Sequence, residues 1–272
     1  METLDANSLY TDMDNFIVVL NSKYATTNYN PGFNSKMEFD LPEPIRRSRT
    51  DIKLCCSLLS FVCPNSLYNI NDNNNTIVIT LQGFPTNAFV IPIGNYDVKT
   101  FMSTIRSIIP LNISFNYITN KFTLSYTTNF VINSASTLGT VMGFSQTISS
   151  ANNSLTMPYT CNFNGIEQIN ISLTSVSTNN IDSFTNSKSS VIQTVTIPIG
   201  SNQILFQKTN DYNFMISQDL VDDLKIELRN ASDNQLLNLN NQHWNIVLMF
   251  TVIKDIRRFR NALNFDQILK GF

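Results

Sequence analysis

Period-two alternation of apolar and polar residues dominates the chain, and it is rich in β-branched and aromatic side chains. On an extended strand successive side chains point to opposite faces, so a chain patterned in this way buries its apolar residues by pairing strands into sheets. The stretch Asn15–Asn21 reads as a buried strand ending at an Asn-Ser turn, and 33–41 as a half-buried strand stopped by Pro42 and Pro44. Further strands are expected at 52–62, at 76–81 after the turn formers Asp72 to Asn75, and at 89–93. A hairpin is expected over 113–126, turning at Thr119 to Lys121. The C-terminal half repeats the pattern at 168–173, 190–199, 203–207, 224–229 and 243–253.

One segment breaks the alternation. Val98, Phe101, Met102, Ile105, Ile108 and Ile109 recur at helical spacing over 96–109, with Asp97 placed to cap the N-terminus and Pro110 to end the helix. Two polar stretches, 145–154 and 175–190, carry Ser, Asn and Thr without periodicity and read as long surface loops. About eleven strands and one amphipathic helix make an all-β chain, best accommodated by a jelly-roll β-sandwich with extra strands. The expected division is a jelly-roll domain over 1–253, a possible inserted lobe at about 82–157 holding the helix and the hairpin, and a tail at 254–272. Strand parity places Phe16, Val18, Leu20, Phe39, Ile52, Leu54, Ile226, Leu228, Trp244, Ile246 and Leu248 on the inner face.

The chemistry available to the chain is narrow. A single histidine, His243, leaves little for imidazole acid–base work, and its place beside Trp244 suits a turn or packing role. The eight glycines are scattered, and Gly139 to Gly143 lacks the Lys-Ser/Thr of a phosphate loop. Adjacent Asp222 and Asp223 would point to opposite faces of a strand, and Asp72 to Asn75 lacks the spacing and closing Glu of a calcium loop. Cys55, Cys56, Cys63 and Cys161 include no C-x-x-C pair and no neighbouring histidine, so buried reduced thiols are expected, with no metal and no cofactor. No enzymatic activity is expected from this inventory.

Charge narrows the partners as well. Only 14% of the 272 residues are charged and the formal net charge is −2, whereas 38 are asparagine, so the polar surface is mostly neutral. A general nucleic-acid binder carries a basic excess that this chain lacks. Low charge favours association of copies. The N-terminus has neither the basic nor the apolar region of a secretory signal, and no apolar run approaches the roughly 20 residues of a membrane span. The Asn-x-Ser/Thr triplets follow from the abundance of asparagine. Two basic clusters stand out: Arg46, Arg47 and Arg49 after the prolines, and the tail, where Arg257, Arg258 and Arg260 alternate with Phe259 ahead of Phe265 and Phe272. These residues are candidate partner contacts, and the tail combines charge with apolar groups able to dock in a groove.

The order of motifs adds a resemblance. Asn15 to Ser22 is followed by Val62-Cys-Pro-Asn-Ser-Leu-Tyr-Asn-Ile70 with an asparagine run, then Ile91-Pro-Ile-Gly-Asn-Tyr96 and the helix. The hairpin, Met142-Gly-Phe144, Ile197-Pro-Ile199, Ile226-Glu-Leu-Arg229 and Leu239-Asn-Asn-Gln-His-Trp244 complete the series before the last strand. This succession resembles the single-jelly-roll penton or minor capsid proteins of virophages, polinton-like elements and large DNA viruses of protists, over 15–253. The resemblance implies a structural virion protein, foremost the penton, the five-fold vertex capsomer of an icosahedral double-stranded DNA virus or virophage. Alternatives are a minor capsid protein cementing major capsomers from the inner face, or a lectin-like attachment module. It further implies self-association as a pentamer, contact with the major capsid protein, contact with other minor capsid proteins through the tail, and a virion location after assembly in the host cytoplasm.

Overall fold

The computed structural model describes residues 11–48, 51–176, 181–182, 187–197, 204–208 and 214–255. The chain begins with β1 (Thr11–Asn21), β2 (Thr27–Asn28), β3 (Lys36–Arg46) and β4 (Asp51–Pro64). There follow β5 (Thr76–Leu81), β6 (Thr86–Val90), α1 (Val98–Ile108), β7 (Asn112–Asn116), β8 (Lys121–Ser125), β9 (Phe130–Ile132), α2 (Gly139–Met142), β10 (Ile148–Ser149) and β11 (Ser154–Thr156). The remaining strands are β12 (Gln168–Leu173), β13 (Ile181–Asp182), β14 (Ser187–Lys188), β15 (Val191–Thr196), β16 (Ile204–Lys208), β17 (Phe214–Ile216), β18 (Leu220–Asn230) and β19 (Asn245–Asp255). The chain divides into two compact units, one formed by 1–66 with 167–272 and the other by Leu67–Ile166.

The first unit is a jelly roll. One sheet has the order β1-β19-β4-β16, with β17 pairing farther along β4, and the other has the order β15-β12-β18-β3-β2. All pairs are antiparallel. Taken along the chain, β1, β3, β4, β12, β15, β16, β18 and β19 pass between the two sheets in the double Greek-key sequence of a jelly roll. Its inner faces supply the core: Leu54, Cys56, Leu58 and Phe61 of β4 and Ile246, Leu248, Phe250 and Val252 of β19 from one sheet, Met37, Phe39, Ile226 and Leu228 from the other. Trp244 is fully buried and meets Phe39 edge-to-face at 5.9 Å between ring centroids.

Four sequence expectations need correction. Phe16 lies on the inner parity of β1 yet is 41% exposed, and Ile17 and Val19 on the other parity are 65% and 68% exposed. A continuous apolar run implies burial on both faces, but among the described strands β1 lies at the edge of its sheet, paired to β19 alone. Pro42 and Pro44 do not stop β3, which continues to Arg46. The β3–β18 register jumps from Asp40 opposite Asp223 to Ile45 opposite Val221, so the prolines, which have no N–H to donate, fall in a bulge. Phe33, expected to open this strand, precedes it and is exposed. The last strand runs past Ile253 to Asp255, with Lys254 opposite Asp12. Ile52 lies in β4, where its side chain is outside the described residues.

The second unit has its own apolar core beneath two antiparallel sheets, ordered β10-β9-β5-β6 and β11-β8-β7. Its helix α1 is fixed by a reciprocal capping box: the Thr100 amide donates to Asp97 Oδ1 at 2.7 Å and the Asp97 amide to Thr100 Oγ1 at 3.0 Å. Phe101 and Ile105 are fully buried, and Phe101 stacks 5.6 Å from Phe122 of β8 and 5.1 Å from Phe163. The stretch leading into Met142-Gly-Phe144 forms the one-turn helix α2, closed by Gly143 at φ +92°. A Cβ at Gly143 would lie 2.3 Å from the Tyr159 carbonyl oxygen, so only glycine fits there.

Candidate assembly surfaces

The two outer faces of the jelly roll differ in kind. On β3 and β18, Met37, Phe39, Leu224 and Ile226 turn inward, which by parity sends Lys36, Glu38, Lys225 and Glu227 outward. Cross-strand pairing sets Glu227 opposite Lys36 and Lys225 opposite Glu38. Lys36 Nζ meets Glu227 at 2.9 Å, Arg229 donates to the other Glu227 oxygen at 2.7 and 2.9 Å, and Lys225 Nζ meets Glu38 at 3.1 Å. Tyr29 closes the row, its hydroxyl donating to Glu38 and its ring lying 5.6 Å from Lys36 Nζ and 5.0 Å from Lys225 Nζ. Partial burial pushes the Glu227 pKa up, but the hydrogen bonds from Lys36 and Arg229 outweigh it and leave the carboxyl below its ordinary range. Hydrogen bonds from Tyr29 and then Lys225 likewise lower Glu38. Farther across, Gln168, Asn170, Thr194 and Thr196 continue the polar face.

The outer face of the other sheet is apolar. Along β1, Ile17 and Val19 project from it. Beside them on β19 are the half-buried Met249 and Val247. Toward the opposite edge come Val62 of β4, Ile204 and Phe206 of β16, and Met215 of β17, with Ile204 70% and Phe206 63% exposed. Small side chains occupy the middle: Cys55, Ser57 and Thr251 are buried, and Ser57 Oγ has no hydrogen-bond partner among the described residues. The apolar surface is thus most open along two margins, at β1 and at β16 with β17.

One end of the sandwich is closed by an asparagine-rich clasp between the β1–β3 and β18–β19 connections. Asn34, at φ +58° and buried, donates through Nδ2 to Asn241 Oδ1 at 3.3 Å and to the Gln242 carbonyl at 3.2 Å. Its own carbonyl accepts the Trp244 indole N–H at 2.7 Å. Ser22 Oγ accepts the Trp244 amide at 2.9 Å and lies 3.1 Å from His243 Nδ1. The Ser–His contact therefore belongs to a turn whose hydroxyl already holds the backbone of the next strand. Among the described residues seven asparagines adopt positive φ, which gives a use for the unusual asparagine content at turns that would otherwise call for glycine.

Comparisons with known proteins add little to this geometry. No known protein family matches the sequence, and no curated protein does so. Among solved structures, the crystal structure of the mavirus penton protein is similar at 12% identity and a TM-score of 0.46, over 88% of this chain and 99% of that one. A likeness so slight carries no argument about fold or function.

Of the arginines singled out in the sequence, Arg46 is exposed at the end of β3 opposite Leu220. Arg47 is committed within the chain, its side chain to Asp219 Oδ1 at 2.8 Å from Nε and its amide to the Asp219 carbonyl at 2.8 Å. Arg49, Arg257, Arg258, Phe259, Arg260, Phe265 and Phe272 lie outside the described residues. The four cysteines are free thiols, and burial pushes the Cys56 thiol well up and Cys63 to about 12. Asp72 to Asn75 form an asparagine turn, with the Asn71 amide donating to Asn74 Oδ1 at 2.7 Å. Among the described residues no group of three His, Cys, Asp or Glu could hold a metal ion, and no helix is long and apolar enough to cross a membrane. The sequence reading missed both sheet faces. Alternation at 224–229 foreshadows the charged one, whereas the unbroken run 16–20 conceals that half of it faces outward.

Proposed function

We propose that this chain is a structural subunit of the shell of an icosahedral double-stranded DNA virus or virophage, and that its place is the penton at the five-fold vertex. The observation that carries this reading is the eight-strand jelly roll with an apolar outer face on one sheet and a charged one on the other. Fold alone hosts many functions, so the surface has to decide. Exposed aliphatic and aromatic groups cost about 25 cal/mol for each Å² left in water, a cost removed when copies meet. The order of sequence motifs favours the same role, as does a surface rich in neutral hydrogen-bonding groups. A cyclic head-to-tail arrangement closes after five copies, with the major capsid protein surrounding it. The tail at 254–272, with Arg46 and Arg49, is assigned to contacts with the major capsid protein or with minor capsid proteins, while Arg47 stays paired with Asp219. The subunit is placed in the virion, assembled in the host cytoplasm, with a non-catalytic role.

Copy number in purified particles tests the proposal. Quantitative mass spectrometry together with particle imaging should find about five copies at each vertex. Many copies on the inner side of each facet would make it a cementing protein instead, and copies outside the shell would make it an attachment module. Truncation after Asp255 should leave the jelly roll folded and lower incorporation.

A further inference from the structure

The last residues of the second unit include a pair that can rearrange without an enzyme. We propose that Asn164, followed by Gly165, is a site of spontaneous deamidation and isoaspartate formation, and that the product loosens the closing segment of the unit at 67–166. Of the 38 asparagines only Asn164 precedes a glycine. Both residues of the pair are exposed, so water reaches them. Glycine has no Cβ to shield its nitrogen, and among the described residues the Gly165 amide donates no hydrogen bond. In the reaction the Gly165 nitrogen attacks Asn164 Cγ and the new C–N bond closes a succinimide ring. The Cγ–Nδ2 bond breaks, and ammonia leaves with the proton that the Gly165 nitrogen gives up. Water then opens the ring at either carbonyl, leaving aspartate or, with the main chain rerouted through the former side chain, isoaspartate. Asparagines ahead of serine react more slowly because a side chain crowds the attacking nitrogen. At Asn21, Asn34, Asn133 and Asn153 the side chain is also held in hydrogen bonds to the backbone.

The fold itself keeps glycine in this pair. Gly165 stands at φ +68°, and a Cβ there would lie 3.0 Å from Asn69 Cβ and 3.1 Å from its Cα. Asn69 ties the segment down: its Nδ2 donates to the Phe163 carbonyl at 2.9 Å and to the Tyr96 carbonyl at 2.8 Å, and its Oδ1 accepts the Tyr96 amide at 2.9 Å. The Phe163 ring packs 5.1 Å from Phe101, and the Asn164 amide donates to Asn162 Oδ1 at 2.8 Å. Isoaspartate lengthens the main chain by one carbon directly after Phe163, which moves Gly165 off its close approach to Asn69. It also adds one negative charge to a formal net charge of −2.

Ageing the full-length protein tests this. After incubation at mildly alkaline pH, fragmentation mass spectrometry should place the mass gain of amide-to-acid exchange at Asn164. An isoaspartyl methyltransferase should label the aged protein, and anion exchange should resolve a form with one more negative charge. The rate should rise with pH, because the Gly165 amide must lose its proton. Asn164→Gln, at an exposed position, should lose all three signals, since the longer side chain would have to close a less favourable six-membered ring. In calorimetry the isoaspartate form should lower the transition of the unit at 67–166 and leave the Trp244-reported transition in place. Asn164→Asp carries the charge on a main chain of ordinary length and should melt as fresh protein does. An Asn164 that stays intact while a synthetic peptide of residues 160–168 rearranges, or modification spread equally over other asparagines, would overturn the assignment of the site. An isoaspartate form that melts like fresh protein, or Asn164→Asp melting as low as that form, would overturn the loosening by chain lengthening.

Discussion

Replacing Trp244 should reveal how much of the jelly roll depends on one side chain. The indole is fully buried, packs edge-to-face on Phe39 across the sandwich, and donates its N–H to the buried Asn34 carbonyl at 2.7 Å. Trp244→Ala removes a large aromatic from the core and leaves a cavity, a change costing about 3–5 kcal/mol. Trp244→Phe keeps much of the volume and isolates the polar contribution: the Asn34 carbonyl loses its donor, at a cost of about 1–3 kcal/mol. Trp244 is the only tryptophan, so wild-type fluorescence follows the jelly-roll unit alone. Urea unfolding monitored by far-ultraviolet circular dichroism would compare all three proteins, with the loss expected in the transition that fluorescence assigns to that unit. A Trp244→Ala cost under 1 kcal/mol would show that the clasp at this end is not needed to hold the sheets together. Equal costs for Phe and Ala would show that the hydrogen bond, rather than the ring volume, supplies the stability.

Three further outcomes are expected. The Glu227 carboxyl is held below its ordinary pKa, so its contribution is present above the unfolded carboxylate value and is lost as pH falls through the folded one; an acid titration of stability should lose part of its slope in Glu227→Gln, and an unchanged slope would refute the assignment. Gly143→Ala should destabilise the unit at 67–166 and leave the Trp244-reported transition in place, because the new Cβ meets the Tyr159 carbonyl at an αL position; an unchanged melting profile would contradict that packing. Excision of Leu67–Ile166 with a short Gly-Ser bridge should leave a cooperatively unfolding jelly roll, and loss of the cooperative fluorescence transition would show that the insertion is part of its folding unit.

The sequence by itself determined what adjacent residues decide among themselves. Period-two alternation specified the strands, Asp97 and Pro110 bracketed the helix, and the asparagine runs marked turns, because each depends on side chains a few residues apart. Tertiary structure alone decided which strands became neighbours. The pairing of β1 with β19 joins residues more than two hundred positions apart, and nothing local in 15–21 shows that this strand would lie at an edge with Ile17 and Val19 outward. Pro42 and Pro44 read locally as a strand end, yet β18 on one side absorbs them in a bulge. The same holds for the surfaces. Lys36, Glu38, Lys225 and Glu227 are unremarkable charges in sequence, and only the β3–β18 register makes them a paired row, since cross-strand electrostatics depends on opposition in space.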